Sequence, residues 1–458
     1  MVFQANEGCY RYVSMMQPRG TEARTLTDYP RVLVISANAL SQNNNNGITM
    51  ETFFAHWPSD RIAQIYFRPE ISTSRVCQRF FRITDADIVA SRLGHHSAPG
   101  SDVEPQNSSV PFVEPNGVYS SQFKDWHITR LFRECLWLGG VWDTPALQKW
   151  ISAFTPEVIF LCAGGDVFQH TIAKTLAARL NIPIIVFITD DYVLPRFSLS
   201  PAYWLRLLWI RSKFIPINKS AADVFSICEE MARVYQTSFG FPSQVAANTV
   251  QVSLNPPVYK PIDLPIRLVY TGSVHSNRWK SLVLLGRSLD SLSSQGIECT
   301  LDIYTATPPS LSIIRKLSTP KHSTYRGALD NDGVKRAQRE SDILVHVESF
   351  DAKSRHYVRL SLSTKIPEYL ATGKCIFAIG PAELASIKYL LQTQSGTVVT
   401  TAKEADIIAA LHGVLKHPEE VRAFGERAWQ TARNFHQPEH IRGLITASLR
   451  TAVAVQSK

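Results

Sequence analysis

The chain has 458 residues, 45% hydrophobic and 19% charged, a composition that excludes a disordered or fibrous protein. Its formal net charge of +9 favours anionic partners without choosing among nucleotides, lipid surfaces and nucleic acid. The seven cysteines form no CxxC pair, so neither a disulfide framework nor a structural zinc site is expected.

The first residues, MVFQANEGCYRYVSMM, lack the basic segment and long apolar run of a signal peptide. Residues 1–30 are mixed and polar, and we interpret them as an extension with little structure of its own. No run of about 18 apolar residues occurs, so we expect no transmembrane helix. These features favour a cytoplasmic protein, with peripheral contact to the cytoplasmic face of a membrane as an open alternative.

Strands and helices alternate in the first half of the chain. The apolar run 32–35 is typical of a strand buried on both faces of a parallel sheet. A polar loop at 41–49 and a helix follow, and 62–67 predicts the next strand. Residues 94–125, rich in Gly, Pro, Ser and Asn, predict a loop or insertion. Within 155–191, a strand, a glycine turn, a helix and a second strand predict a βαβ unit.

The second half alternates more regularly. Strands are predicted at 266–272, 299–305, 343–347, 374–380 and 396–400, and helices at 279–294, 309–317, 332–340, 365–372, 382–392 and 403–433. This order predicts a doubly wound parallel sheet. The segment before it, NPPVYKPIDLP, holds four prolines and predicts an inter-domain linker.

The predicted fold class is therefore α/β, with two Rossmann-like, doubly wound parallel sheets facing a cleft. We expect an N-terminal domain over 31–254, a linker over 255–265, a C-terminal domain over 266–435 and a closing helix over 436–458. Ligands bind at the carboxyl ends of the strands in such sheets, so the residues that follow the strands are the candidates for function.

The segment TGSVHSNRWKSL follows a predicted strand and opens a helix. Gly272 allows a sharp turn, the helix start offers unpaired N–H groups, and Arg278 and Lys280 add positive charge. This combination suits a diphosphate. An ordinary strand-to-helix loop with solvated bases remains the alternative.

A second candidate segment is LSLSTKIPEYLATGKCIF. Ser363 and Thr364 can cap a helix that begins near Lys365, whose charge adds to an anion site. Glu368 lies one turn inside, where a carboxylate can accept two ribose hydroxyls. A well-capped surface helix without a ligand remains the alternative.

These residues carry a family resemblance. EYLATGKCI, which begins at Glu368, resembles the E-x-L/M-A-x-G-x-P-V/I segment of GT-B-fold, nucleotide-sugar-dependent glycosyltransferases. TGS…NRWKSL resembles the donor-phosphate loop of that family. The likeness is closest to the retaining group 1 glycosyl transferases of bacterial polysaccharide synthesis. It spans roughly 31–435 and is strongest over 266–380.

The resemblance implies a GT-B-like fold and a nucleotide sugar as co-substrate. It implies that Glu368 holds the ribose of the nucleotide. Arg278 stands where the family usually has a phosphate-binding lysine, and Ser273 where it has an arginine. Gly327 matches the strand-end loop that packs near the base.

One position departs from the family. A second glutamate often precedes the ribose-binding one by eight positions, and this chain has Leu360 there. Glu348, which follows the preceding predicted strand, is the candidate carboxylate from a different loop. An ordinary surface residue is the equal alternative.

The first half supplies two further candidates. Gly47, in the asparagine-rich loop, can offer backbone N–H groups to the donor phosphates; a solvated turn is the alternative. Asp190 ends a predicted strand and is the first choice for the acid that contacts the acceptor hydroxyl or the sugar. The alternative is that Asp190 or Asp191 simply caps the next segment.

Residues 192–222 contain five bases and no acid, interleaved with aromatic residues. On a helix, Arg206 and Lys213 share one face, while Trp204 and Leu208 lie opposite. This pattern predicts a helix at an anionic membrane surface over 196–219. A helix packed on the domain core with its bases reaching solvent is the alternative.

The sequence thus predicts a glycosyltransferase that moves a sugar from a nucleotide-sugar donor to an acceptor hydroxyl. Cell-surface polysaccharide or glycolipid synthesis is the expected setting, with a sugar, glycolipid or polyprenol-linked acceptor. We expect anomeric retention, as the resemblance implies, no metal, no cofactor and no nucleic-acid partner. A catalytically inactive nucleotide-binding scaffold and a sugar-nucleotide epimerase remain alternatives.

Overall fold

Two sheets built from apolar runs form the framework of the protein. The computed structural model describes residues 29–42, 45–94, 98–105, 127–259, 264–319 and 321–456. Most of the predicted N-terminal extension, and residues 260–263 of the predicted linker, lie outside the described residues.

The first sheet lies between residues 32 and 245. Its strands are β1 (Val32–Ser36), β2 (Ile62–Tyr66), β3 (Arg79–Arg82), β4 (Ser101–Val103), β5 (Val158–Ala163), β6 (Ile184–Ile188), β7 (Asp223–Ser226) and β8 (Gln244–Val245). They lie in the order β4-β3-β2-β1-β5-β6-β7-β8, and only the edge strand β4 is antiparallel to its neighbour. Every residue of β1, β2 and β5 is buried, as a sheet covered on both faces requires.

Seven helices cover this sheet in the described part of the chain. They are α1 (Asn45–Phe54), α2 (Asp85–Arg92), α3 (His127–Leu136), α4 (Pro145–Phe154), α5 (Val167–Leu180), α6 (Pro201–Ser220) and α7 (Glu229–Phe239). α5 covers the helix predicted within 155–191. The prediction of a loop to residue 49 is wrong, because α1 begins at Asn45. Asparagine favours helix N-termini, so this run begins a helix instead of extending a loop.

The second sheet comprises six parallel strands. They are β9 (Ile266–Thr271), β10 (Cys299–Tyr304), β11 (Ser323–Gly327), β12 (Ile343–Val347), β13 (Cys375–Ile379) and β14 (Gly396–Val399). Their order, β11-β10-β9-β12-β13-β14, is that of a doubly wound dinucleotide-binding sheet. The predicted fold class of two Rossmann-like sheets is confirmed.

The helices of the second half are α8 (Arg278–Ser293), α9 (Leu311–Leu317), α10 (Asn331–Glu340), α11 (Ala352–Val358), α12 (Lys365–Thr372), α13 (Ala385–Thr393), α14 (Glu404–Lys416), α15 (Pro418–Phe435) and α16 (Pro438–Gln456). The single helix predicted over 403–433 is wrong. Two helices occur there, because Pro418 lacks the N–H that would continue α14 and instead begins α15.

The last helix, α16, returns to the first sheet. Arg442 Nε donates to the carbonyl of Thr52 at 2.8 Å, and Ser448 Oγ donates to Asp223 at 2.7 Å. The chain therefore crosses between the two sheets twice, once after β8 and once after α15. Two crossings restrict relative motion of the two halves more than a single linker would.

His436 fixes the second crossing. Its side chain is buried, Nδ1 lies 2.8 Å from the carbonyl oxygen of Asn248, and Nε2 lies 2.7 Å from the Tyr389 hydroxyl. A neutral ring satisfies both partners when Nδ1 donates and Nε2 accepts. Burial lowers the pKa of His436 to about 4, so the ring stays neutral at physiological pH.

We predict that His436 makes the fold acid-sensitive. The unfolded chain takes up this proton near pH 6.5, whereas the folded chain takes it up near pH 4, so stability falls as the pH drops through this window. The shift corresponds to roughly 3 kcal/mol. His436→Gln lowers the melting temperature at pH 7.5 and flattens its decline between about pH 6.5 and 4. Exposed His440→Gln is the control; parallel curves for wild type and His436→Gln would contradict the assignment.

Candidate functional site

The candidate residues of the second half meet at one edge of the second sheet. Gly272 follows β9, Glu348 follows β12, and these two strands are neighbours at the point where the strand order reverses. Gly327 ends β11 at the same edge. Such a reversal point opens a crevice in which ligands bind in open α/β sheets. The structure therefore brings together the candidates that the sequence placed on separate loops.

Arg278 and Glu348 form a buried ion pair with each other. Arg278 Nε lies 2.9 Å from one carboxylate oxygen of Glu348, and its Nη2 lies 3.0 Å from the other. Burial would raise the pKa of Glu348, but His346 and the Arg278 guanidinium outweigh it and hold the pKa below its ordinary value. The alternative that Glu348 is a surface residue is wrong, because its side chain is only 3% exposed.

The bidentate pair changes what each partner can do. Both carboxylate oxygens of Glu348 accept hydrogen bonds from Arg278, which leaves the carboxylate poorly placed to act as a base on a substrate. Ser281 Oγ also donates to the carbonyl of Glu348 at 2.8 Å. The pair therefore fixes the loop from Gly272 to the start of α8 against the end of β12.

Glu368 lies in a polar cluster at the end of β9. Lys365 Nζ lies 2.9 and 3.1 Å from its two carboxylate oxygens, and Gln338 Nε2 lies 3.4 Å from one of them. Gln338 also donates to Thr271 Oγ1 at 2.9 Å. The side chains of Lys365 and Glu368 are about one third exposed, so the carboxylate is accessible from the crevice.

Sequence reasoning missed Gln338 and Tyr369. Gln338 is buried on α10, and Tyr369 OH accepts a hydrogen bond from the backbone N–H of Thr271 at 2.9 Å. Both side chains join α10 and α12 to the end of β9. Tyr369 stands beside Glu368 in the recognised segment, but no feature of the sequence shows that the side chain turns to β9.

The start of α12 differs in detail from the predicted cap. Thr364 occupies the N-cap position but its side chain accepts no capping hydrogen bond. Ser363 Oγ instead accepts from the Lys365 N–H at 3.4 Å. The prediction that both residues serve as caps is thus correct only for Ser363, whose capping hydrogen bond is long.

The glycine loop after β9 is held in an unusual backbone conformation. Ser276 and Asn277 have φ of 54° and 62°, in the left-handed region that non-glycine residues seldom adopt. Gly272 N–H donates to the carbonyl of Tyr304, and Ser273 is exposed beside it. Gly327 has φ of 87°, which favours glycine. Strained residues of this kind concentrate at ligand-binding loops.

The two predicted acids of the first half have different environments. Asp191 is buried, accepts hydrogen bonds from the N–H groups of Val193 and Leu194, and pairs with Arg359 at 3.0 Å. It is therefore the capping acid. Asp190 is half-buried and accepts a hydrogen bond from Ser361 Oγ at 2.9 Å. Asp190 remains the candidate that faces the crevice.

Residues 359–361 connect the second half to the first. Arg359 and Ser361 bind the two aspartates, and the carbonyl of Leu360 accepts from Cys228 Sγ at 3.3 Å. Leu360 is 4% exposed and belongs to a hydrophobic core cluster with residues from both halves. The position at which the family often has a glutamate is thus part of a buried contact between the halves.

Gly47 lies in the first turn of α1 and is buried, instead of standing in an open loop. In the following turn, Thr49 Oγ1 donates to the side-chain carbonyl of Asn248 at 3.0 Å. The helix start lies on the chain directly after β1, so it remains near the carboxyl edge of the first sheet.

The basic residues of α6 do not form the predicted basic face. Arg206 donates to Glu134 at 3.2 Å and also to the carbonyl of Gly165, and Arg211 Nε donates to the carbonyl of Val193 at 2.7 Å. Burial raises the pKa of Glu134 to about 7, and Asp166 adds to the rise. Both arginines therefore bind protein groups, so α6 packs on the domain core as the alternative states, but these two bases do not reach into solvent as it expected.

The described residues show neither a metal-binding cluster nor a membrane-spanning helix. They contain no group of three or more His, Cys, Asp or Glu side chains placed to hold a metal ion. In the same part of the chain, no helix is both long and apolar enough to cross a bilayer.

Comparison with known proteins bears on the family and the fold. Residues 290–445 match a family model described as glycosyl transferase-like. No curated protein matches the chain in sequence. Solved structures match it over nearly the whole length at low sequence identity, and these likenesses show the fold.

Three of these structures illustrate the likeness. Sucrose-phosphate synthase from Thermosynechococcus elongatus matches with a TM-score of 0.59 and 12% identity, over 93% of this chain and 99% of that chain. HepE of Anabaena in complex with UDP matches with a TM-score of 0.59 and 11% identity, over 92% and 100%. α,α-Trehalose 6-phosphate synthase from Burkholderia multivorans matches with a TM-score of 0.56 and 10% identity, over 93% and 99%.

The family match and the fold agree with each other and confirm the predicted resemblance. The chain thus has the GT-B fold of these glycosyltransferases, and its glycosyl transferase-like segment, residues 290–445, carries Glu348 and Glu368.

We predict that Arg278 and Glu348 stabilise the fold only as a pair. Arg278→Met leaves the buried Glu348 carboxylate with only the His346 ring beside it, at 3.5 Å, and costs about 3–5 kcal/mol. Arg278→Met combined with Glu348→Met removes both charges and costs less than the single change. Urea unfolding of the three proteins measures the difference. A double variant as unstable as the sum of both single variants would contradict the pairing.

Proposed function

We propose that the protein transfers a sugar from a nucleotide-sugar donor to an acceptor hydroxyl. The observation that carries the proposal is the cluster of Glu368, Lys365 and Gln338 beside the strained glycine loop. The accessible carboxylate suits two ribose hydroxyls. The loop N–H groups and the start of α12 suit a diphosphate.

Stabilisation of the leaving group is the main chemical task of this site. When the sugar leaves, negative charge develops on the nucleoside diphosphate, and fixed donors and cations at the phosphates lower the energy of that state. Lys365 is the cation nearest the proposed ribose site. We assign to Arg278 the additional task of holding the glycine loop, since its guanidinium is bound to Glu348.

UDP is the first nucleotide to test. Among the structures with the same fold, HepE is described in complex with UDP-glucose, and the Escherichia coli trehalose-6-phosphate protein as bound with UDP-2-fluoro glucose. These two complexes support a uridine donor for this chain. We also propose that the transfer retains the anomeric configuration of the donor sugar and needs neither a metal nor a cofactor.

The acceptor would approach from the first half, where Asp190 is the candidate to orient or deprotonate its hydroxyl. A sugar, glycolipid or polyprenol-linked acceptor in cell-surface polysaccharide synthesis fits the family resemblance. We place this reaction on the cytoplasmic side of the membrane. The first half then serves as the acceptor domain and the second as the donor domain.

One observation favours a second candidate function. Leu360 replaces the family glutamate and is buried, while Glu348 is bound to Arg278. One carboxylate of the sugar site is then absent, and the other is bound to an arginine. Such a protein would bind the nucleotide sugar without catalysing transfer. This inactive scaffold differs from the transferase in turnover and not in nucleotide binding.

We predict that Glu368→Ala weakens UDP binding by about 10–100-fold, the value of hydrogen bonds to a charged group. The fold survives, because the side chain is one third exposed. Titration calorimetry measures the affinity. Glu426→Ala, which removes an exposed partner of Arg422, is the matched control. Equal affinity in wild type and Glu368→Ala would remove the ribose assignment.

We predict that Asp190→Asn lowers turnover by about 100-fold or more with little change in UDP affinity. UDP release from UDP-sugars in the presence of an acceptor panel measures turnover. Asp191→Asn is the contrasting variant, because it loosens the contact with Arg359 and lowers the melting temperature. Full turnover by Asp190→Asn would exclude Asp190 as the base, and no turnover by wild type with any donor would favour the scaffold.

A further inference from the structure

Helix α6 buries an apolar face that includes Leu207 and Phe214, but it also exposes large apolar side chains on another face. Trp204, Leu205 and Leu208 are 42%, 58% and 62% exposed, whereas Arg206 and Arg211 bind the protein interior. A helix that turns bases inward and large apolar side chains outward exposes area that water disfavours. Such a face indicates a partner.

Helix α3 lies beside α6 and also exposes large apolar side chains. Ile128 and Phe132, one turn apart, are 63% and 64% exposed, while Glu134 is buried. The ring of His127 at the start of α3 lies 5.1 Å from that of Tyr203, and Glu134 pairs with Arg206. α3 therefore packs across the first turns of α6, and the two neighbouring helices both expose large apolar side chains.

We define the apolar α3–α6 surface by Ile128, Phe132, Leu138, Trp204, Leu205 and Leu208. Arg92 donates to the carbonyls of Leu136 and Leu138, which adds the exposed Leu93 at the end of α2 to its edge. Trp204 Nε1 donates to the carbonyl of Ser198, so the exposed Phe197 and Leu199 flank the other edge.

Among the described residues near the apolar α3–α6 surface, the acids are paired and the remaining charge is positive. The nearby acids Asp85, Glu134 and Asp166 are each paired with an arginine, and residues 192–222 contain no acid. Lys213 on α6 adds positive charge. An apolar face with basic residues and a tryptophan at its border suits the interface of an anionic bilayer.

We propose that the apolar α3–α6 surface docks the protein on an anionic lipid bilayer. The surface borders the edge of the first sheet that carries Asp190, because Glu134 accepts the Val167 N–H where α5 follows β5. Docking would bring a lipid-linked acceptor to that edge. This last step rests on the proposed function, whereas docking itself does not.

Sedimentation of the full chain with vesicles tests the surface. We expect binding to phosphatidylcholine vesicles with about 30 mol % phosphatidylglycerol, weakened by salt, and several-fold less binding to pure phosphatidylcholine. Combined Ile128→Ser, Phe132→Ser and Leu208→Ser lowers binding by about tenfold or more. The matched control combines Leu311→Ser, Leu391→Ser and Val455→Ser, which change side chains 73%, 45% and 69% exposed elsewhere.

Three outcomes would overturn the docking surface. The first two are no vesicle binding by wild type and equal binding by both triple variants. The third is a wild-type dimer that the apolar-face substitutions convert to a monomer without changing vesicle binding. The last outcome would assign the surface to a second copy of the chain. UDP titration on the same variants keeps this test separate from the donor site, because loss of vesicle binding with unchanged UDP affinity leaves the proposed function intact.

Discussion

Asp191 links the two halves of the protein through a buried ion pair. Its carboxylate caps the turn after β6 and pairs with Arg359 of the second half, while the neighbouring Asp190 meets Ser361. Breaking such a buried pair strands a charge in a low-dielectric contact, so the arrangement is costly to disturb. The carboxyl edges of both sheets therefore face the same crevice, and every proposed substrate contact depends on that geometry.

The Arg278–Glu348 pair changes the roles that we expect of these two residues at the donor site. The sequence predicted that Arg278 binds phosphate and that Glu348 is catalytic. Because the two side chains bind each other, they instead support the glycine loop. The catalytic tasks then fall on residues that keep accessible polar groups. Glu368, Lys365 and Asp190 are the described side chains with that property at the crevice.

The sequence predicted the central strands of both sheets, because buried parallel strands appear as continuous apolar runs. It missed β3, β4, β8 and β11, which are shorter or less apolar. It predicted Glu368 and α12 through a recognised segment. It did not predict Gln338 or Tyr369, whose roles arise from side chains meeting across distant elements. It misjudged α6, because a helical pattern shows that two faces differ but not which one is buried. It also overlooked that Pro418 divides a helix.

A crystal structure of the protein with UDP tests the central claim most directly. The account predicts the uridine ribose within hydrogen-bond distance of Glu368, and the diphosphate against the loop from Gly272 to Asn277. It also predicts that Arg278 remains bound to Glu348 in the complex. UDP bound at another site, or a ribose turned away from Glu368, would contradict the account.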